Sequence, residues 1–274
     1  MRHVKSTLQA TFDQGVERLD AQMLLLHAMG QSTHDRAWLA VHDALALTPA
    51  QQQIFEQLIQ RRLSGEPVAY LTGHKEFFGL RLSVSSDVLI PRPDTECLVE
   101  WALACLSSAD AHVLDLGTGS GAIGLAIKHH RPKSQLTLVD SSQAALTMAR
   151  RNACALGLAV HSLQSNWFES VPTEARFNMI VSNPPYIADG DAHLAALQHE
   201  PLMALTSGAD GLTALKLIVK GAPSHLRSGG WLLLEHGYNQ AADVCELLRA
   251  QGFVRVSSRR DLNGLLRCSG GQMP

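Results

Sequence analysis

Three glycines in five residues, Gly117, Gly119 and Gly121, stand between the apolar run AHVLDL and a helical pattern over residues 122–130. A strand that enters such a loop and leaves it as a helix constrains the fold more than any other segment of this chain. Glycine lets the backbone turn sharply and approach a ligand without Cβ clashes, and the helix that follows offers free N–H groups to electron-rich groups. The alternation continues downstream. QLTLVD reads as a second strand, residues 142–156 as a helix stopped by Gly157, and FNMIVS, GWLLLEH and GFVRVSS as later strands. Strands separated by helices predict an α/β fold with a mostly parallel sheet covered on both faces. Its ligand crevice belongs at the carboxyl ends of the strands, where the strand order reverses.

Ahead of this domain the pattern is helical. Leu19, Met23, Leu26 and Met29 recur at three- and four-residue intervals until Gly30. Thr48, Pro49 and Gln51 form a helix-opening signature, followed by a stripe of Ile54, Phe55, Leu58, Ile59 and Leu63 that Gly65 ends. Residues 68–84 read as a β-hairpin, with Val68–Leu71 as its first strand, Thr72-Gly73-His74 as its turn, and Leu80, Leu82 and Val84 alternating along the second. The segment Ile90-Pro91-Arg92-Pro93-Asp94-Thr95-Glu96 is extended by its prolines and feeds a helix to about Leu106. The organisation expected is a helical N-terminal domain over 1–66, a hairpin linker over 67–90 and the α/β domain over 91–274. Two domains also suit 274 residues at about 150 per domain.

Composition narrows the class. The chain is 46% hydrophobic and 18% charged with a net charge of −2, which excludes disorder and argues against a broad phosphate-gripping face. No apolar run reaches the roughly 18–20 residues of a membrane helix, and the N-terminus lacks a signal-peptide core, so a cytoplasmic setting is expected. Five scattered cysteines without C-x-x-C spacing support neither a zinc site nor a disulfide framework and read as buried small hydrophobes. His129 and His130 close a helix and are read as partners of its carboxyl end; no metal site is expected.

Two features carry chemistry. Asp140 ends the strand after the glycine loop, 21 residues past Gly119, where a carboxylate can accept hydrogen bonds from both hydroxyls of a ribose. The pair forms a nucleotide-type site, and the same glycines also fit a looser dinucleotide fingerprint. The second feature is Asn183-Pro184-Pro185-Tyr186 at the end of FNMIVS. Two prolines stiffen the chain and remove two N–H donors, so its carbonyls act as acceptors only. Asn183 adds an amide oxygen, so that together with the Pro184 carbonyl it can hold both hydrogens of a planar –NH2 group, and Tyr186 offers a flat stacking surface. An amide or aryl-amine nitrogen is a poor nucleophile, and holding its hydrogens while aiming its lone pair at a sulfonium methyl lowers the barrier by positioning.

With these segments the chain resembles the class I S-adenosylmethionine-dependent methyltransferases and, within them, the release factor glutamine methyltransferases. The resemblance runs through EPVAYLTGHKEFFGL, IPRPDTE, VLDLGTGSGAIGLA, Asn152-Ala153, SNWFE and IVSNPPYI. It continues in His199-Glu200-Pro201, Gly208-Ala209-Asp210-Gly211-Leu212 and DLNGLLR. It implies a Rossmann-like domain with a seven-stranded sheet, and S-adenosylmethionine as the cofactor, released as S-adenosylhomocysteine. Gly117, Thr118, Gly119, Ser120 and Gly121 would cradle its methionine part, Asp140 its ribose, and Trp167 its adenine side. Asn183, Pro184, Pro185 and Tyr186 would bind the substrate and form the catalytic group, with Asn183 also beside the transferred methyl. Two positions depart from the usual pattern: Asn166 stands where Asp is usual, which implies retained, if weaker, cofactor binding, and Asp94 stands where Glu is usual.

The substrate so implied is the glutamine of the Gly-Gly-Gln motif in peptide chain release factors, methylated on its side-chain N(5). A monomer without stable nucleic-acid or membrane binding is expected, with the helical domain docking the release factor. An amino methyltransferase acting on adenine in DNA or RNA is the alternative; the near-neutral charge and the absence of a recognisable groove reader weigh against it. A nicotinamide dehydrogenase would explain Asp140 and leave the tetrad without a use. A non-enzymatic scaffold would leave both motifs without one.

Overall fold

Thr48 and Gln51 open the longest N-terminal helix as their order predicts. Thr48 Oγ1 accepts from the Gln51 N–H at 3.2 Å and Gln51 Oε1 accepts from the Thr48 N–H at 3.0 Å. The computed structural model describes residues 3–274 and divides into two units between His74 and Lys75. The first unit holds α1 (Val4–Phe12), α2 (Arg18–Ala28), α3 (Arg36–Val41), α4 (Pro49–Leu63) and α5 (Val68–Thr72). Ala21, Leu24 and Leu25 of α2 bury against Phe55, Leu58 and Ile59 of α4. The periodic stripes are offset from these buried faces: Leu19, Ile54 and Leu63 are exposed and Met23 is half-buried. Helix α2 packs against α1, α3, α4 and α5, so its covered surface is wider than one stripe.

Val68–Leu71 is helical rather than the first hairpin strand. A run of four apolar residues is ambiguous between the two states, and here its borders decide. Pro67 precedes α5 with its fixed φ, Gly73 ends it at φ +73°, and the Thr72 hydroxyl donates to the Val68 carbonyl at 2.9 Å. The hairpin is therefore β1 (His74–Phe77) and β2 (Leu80–Ser83), turning at Phe78-Gly79, both left-handed, as a two-residue turn of matching twist requires.

The second unit continues with α6 (Glu96–Cys105), β3 (His112–Leu116), α7 (Ala122–His130), β4 (Gln135–Asp140), α8 (Gln143–Ala155), β5 (His161–Gln164) and β6 (Phe177–Ser182). It closes with α9 (Thr213–Gly221), β7 (Leu226–Glu235), α10 (Ala241–Ala250), β8 (Val254–Arg260) and β9 (Leu266–Gln272). The sheet order is β5-β4-β3-β6-β7-β9-β8, parallel from β5 to β7, with β9 antiparallel to both its neighbours. Alternate residues supply two cores. Val113, Leu138, Val181 and Leu233 pack with α6 and α7 on one face. Leu114, Val139, Ile180 and Leu232 pack with α9 and α10 on the other. The order reverses between β3 and β6, so the crevice opens where the motif-bearing strands end.

Strand β9 has no counterpart among the strands expected from the sequence, because Ser269-Gly270-Gly271 lacks β propensity. The packing explains the glycines: a Cβ on Gly270 would stand 2.5 Å from Leu233 Cδ2 and 2.7 Å from the Leu232 carbonyl oxygen. The cysteines are free thiols, but only Cys245 and Cys268 are buried and Cys154 is exposed, against expectation. Helix α8 faces solvent at Cys154 while Asn152 and Ala153 turn inward. His130 Nδ1 bonds the Ala126 carbonyl at 3.0 Å, near the carboxyl end of α7. Among the described residues no helix is long and apolar enough to cross a membrane.

Candidate active site

The glycine loop, Asp140, Asn166-Trp167 and the Asn183–Tyr186 tetrad stand where β3, β4, β5 and β6 end. Gly117 has φ +67°, and a Cβ on it would meet the Trp167 ring at 3.5 Å, so the indole lies over the loop backbone. The Gly119 N–H donates to Asp140 Oδ2 at 2.9 Å, and the Ser142 N–H donates to Oδ1 at 2.9 Å. Asp140 thus ties the glycine loop to the end of β4. Burial pushes its pKa up, against the lowering by these N–H donors.

Beneath the loop, Asp115 is fully buried; its Oδ2 accepts from the Thr118 hydroxyl at 2.6 Å and from the Gly124 N–H at 3.0 Å. Its Oδ1 has no partner. Burial raises the Asp115 pKa to about 6, opposed by the Thr118 and Gly124 bonds. Asn152 holds the same loop from α8: its Nδ2 donates to the Ser120 carbonyl at 2.8 Å and the Ser83 carbonyl at 3.0 Å, and its Oδ1 accepts from the Ser83 N–H at 2.7 Å.

These loops enclose a cleft whose void is about 980 Å³ when counted out through its open mouth. Gly117, Thr118, Gly119, Ser120, Asp140, Asn166, Trp167, Asn183 and Pro185 line it, together with Thr95. Gly121, Pro184 and Tyr186 do not. Gly121 caps α7 at φ +85° with Leu125 and Ala149 packed behind it, which is a structural duty. A nucleoside with a charged amino-acid tail fits the donor set. A Cβ on Gly119 would enter open space, Asp140 offers a carboxylate at the end of β4, and a buried carboxylate oxygen below the loop lacks a partner.

The tetrad is held from behind. Asn183 Nδ2 donates to the Thr95 hydroxyl oxygen at 3.3 Å, and the Tyr186 hydroxyl donates to Glu235 Oε1 at 3.3 Å. Burial pushes the Tyr186 phenol up, reinforced by the Glu235 charge. Glu235 ends β7 wholly buried. Burial raises its pKa to about 7, while the Thr95 hydroxyl, the Arg267 charge and the Tyr186 hydroxyl favour its ionised form. The Tyr186 carbonyl accepts from Gln240 Nε2 at 3.1 Å, and the backbone of Gly211 packs against the same carbonyl, where a Cβ would overlap the oxygen. Arg92 pairs with buried Glu200, whose Oε2 also accepts from the Ile90 N–H at 3.2 Å. Asp94 lies 3.4 Å from Arg267 Nη2.

A family model described as Methyltransferase small domain matches residues 95–248, and one described as PrmC N-terminal domain matches residues 1–73. A release factor glutamine methyltransferase of Bordetella pertussis is 50% identical over 264 residues, 95% of this chain and 97% of that protein. The chain belongs to the release factor glutamine methyltransferase family. Other members of this family resemble it as closely over comparable lengths: that of Xylella fastidiosa strain Temecula1 is 49% identical over 97% of both chains, and that of Coxiella burnetii 46% over 91% and 90%.

The α/β fold recurs in a methyltransferase from Pyrococcus furiosus, at 20% identity and a TM-score of 0.55 over 78% of this chain and 95% of that one. It recurs also in a T. thermophilus 16S rRNA N2 methyltransferase in complex with AdoMet and guanosine, at 21% identity and TM-score 0.54 over 73% and 50%. The class I methyltransferase fold and S-adenosylmethionine as cofactor follow from the family.

The sequence reading gives no individual role to Thr95, Glu200, Glu235 or Gln240. Thr95 and Glu200 lie inside quoted motifs, and Glu235 ends a strand that was read from sequence, in line with the other crevice residues. Its position at a strand end was the available signal.

Proposed function

We propose that this chain transfers a methyl group from S-adenosylmethionine to the side-chain N(5) of the glutamine in the Gly-Gly-Gln motif of peptide chain release factors. One observation carries the reading: Asn183 and Pro185 open onto the same cavity as the glycine loop and Asp140, in a chain about half identical over nearly its whole length to proteins named for this activity. Gly117 to Ser120 would hold the methionine part, Asp140 the ribose, and Trp167 the adenine side. Asn166 donates its Nδ2 to Glu169 at 2.7 Å, which leaves its oxygen as the acceptor for the adenine amine. When bound, S-adenosylmethionine supplies a methyl group on a positively charged sulfur. The chain's own task is to present the nucleophile. Asn183 Oδ1 and the Pro184 carbonyl accept the two amide hydrogens of the glutamine, and fixing them directs the nitrogen lone pair toward the methyl site. Release factors work with the ribosome, so the reaction belongs to the cytoplasm.

Label from methyl-labelled S-adenosylmethionine is expected on the Gly-Gly-Gln peptide of purified release factor, read by peptide mass spectrometry, with none on a pool of DNA and RNA. Binding of S-adenosylmethionine without any mass gain on that peptide would overturn the assignment.

The helical unit is proposed to dock the release factor. A chain beginning at Lys75 should then keep its affinity for S-adenosylmethionine and lose kcat/KM on intact release factor more than on a short Gly-Gly-Gln peptide. Equal losses on both substrates would remove the docking role.

A further inference from the structure

Cys97 and Cys268 lie 171 residues apart along the chain, yet their Sγ atoms stand 3.0 Å from each other. Both are free thiols, neither lines the cleft, and methyl transfer gives neither a use. Cys97 is the second residue of α6 and is half-buried, whereas Cys268 lies on β9 and is fully buried. Packing keeps them together. Helix α6 lies against β9 so closely that a Cβ on Gly270 would stand 3.1 Å from the Trp101 ring. The two sulfurs are therefore in standing contact in the folded chain, within about 1 Å of disulfide bonding distance.

Their surroundings give the two thiols different parts. Only Cys97 keeps some exposure, so it is the sulfur that a small oxidant meets. The contact with Cys97 and burial push the Cys268 thiol up, which keeps it from reacting first. Attack of the Cys97 sulfur on a peroxide such as hydrogen peroxide forms an S–O bond, breaks the O–O bond and yields a sulfenic acid and water. The Cys268 sulfur then attacks the Cys97 sulfur. The S–O bond breaks, and hydroxide leaves with the Cys268 proton as a second water. In sum two thiols lose two electrons and two protons, and hydrogen peroxide is reduced to two waters. Because the second step joins sulfurs already in contact, it outruns the further peroxide attack that would carry Cys97 to a sulfinic acid. A dithiol reverses the bond by two exchange steps and is itself oxidised to a disulfide.

We propose that Cys97 and Cys268 are a peroxide-sensitive pair that closes reversibly into a disulfide and fastens α6 to β9. In a reducing compartment such a bond is a transient, redox-sensing one. Its place in the fold gives it reach. Cys97 follows by two residues Thr95, which accepts from Asn183, and Cys268 pairs across the sheet with Glu235, which accepts from the Tyr186 hydroxyl. The bond would join the two segments that support the tetrad. It goes beyond the methyl-transfer reading, and its test does not depend on that activity.

The test uses the full reduced chain, freed of reductant and treated with hydrogen peroxide. Digestion without reductant should give a linked peptide joining Cys97 to Cys268, lighter by two hydrogens than its separate parts, and dithiothreitol should return both thiols to alkylation. The melting temperature should rise on oxidation by about 5–15 °C, because a cross-link over so long a stretch restricts the unfolded chain. Cys268→Ala removes the second sulfur, so its Cys97 should take up the sulfenic-acid reagent dimedone at least about tenfold more than the wild-type Cys97 does. Should that variant not fold, the wild-type peptide map decides alone. A Cys97 that stays open to alkylation while peroxide oxidises the exposed Cys154 overturns the proposal. So does a Cys97 sulfinic acid without a linked peptide, or equal dimedone uptake by the two chains. A linked peptide without a rise in melting temperature overturns the fastening of α6 to β9.

Discussion

Asn183→Ala is expected to bind S-adenosylmethionine as tightly as the wild-type chain and to turn over about 10²- to 10³-fold more slowly. At about 1.4 kcal/mol per factor of ten, that is a loss of roughly 3–4 kcal/mol of transition-state stabilisation. The substitution removes the acceptor that would fix one substrate hydrogen, and it also frees Thr95 from its 3.3 Å bond to Nδ2. The substrate amide then keeps one acceptor instead of two and can swing its lone pair away from the methyl site. Cofactor affinity should hold, because the glycine loop, Asp140 and Trp167 are built on β3, β4 and the segment after β5 and take no support from Asn183. Isothermal titration with S-adenosylmethionine and single-turnover methylation of release factor separate the two effects. An unchanged rate would take the positioning role away from Asn183.

Gly211→Ala is expected to cost about a hundredfold in kcat, through displacement of the tetrad by a fraction of an ångström to an ångström. Gly211 has φ +70°, and a Cβ there would overlap the Tyr186 carbonyl oxygen, stand 3.0 Å from its carbon and 2.9 Å from Gln240 Nε2. The oxygen belongs to backbone and cannot rotate away. Either residues 208–212 retreat or Tyr186 moves with the prolines before it, and in the second case the Gln240 bond at 3.1 Å is strained as well. Stability should fall as well, by about 1–3 kcal/mol from overpacking and the left-handed alanine. Gly190→Ala is the control. Its φ is +81°, but a Cβ there meets nothing within 4 Å, so it carries the backbone strain without the clash. Thermal melting of both variants should shift downward while only Gly211→Ala loses kcat at temperatures where each is folded. Wild-type turnover in Gly211→Ala would show that this loop does not set the tetrad.

Local signals accounted for much of the site. The glycine loop, Asp140 and Asn183 each follow a strand whose residues are recognisable by their own side chains, and a helix or strand of that kind is decided within a few residues. The misreadings have local causes too. Val68–Leu71 is apolar and short enough for either state until Pro67 and Gly73 are weighed as helix borders. No strand is expected over Ser269-Gly270-Gly271, because its strand conformation depends on Leu232 and Leu233 pressing close, and those lie more than 30 residues away in the chain.

The amino-acid order alone determined the alternation of strand and helix, the acceptor-only tetrad and the carboxylate after the second strand of the sheet domain, since each depends on neighbours within one element. Folding in three dimensions decided what holds those groups still. Asn152 grips Ser83 and Ser120 across 69 and 32 residues, and Asn183 meets Thr95 across 88. A hydrogen bond needs its two atoms within about 3.5 Å, and no pattern along a chain reports that two such distant residues will arrive there; only the closing of the sheet brings them together.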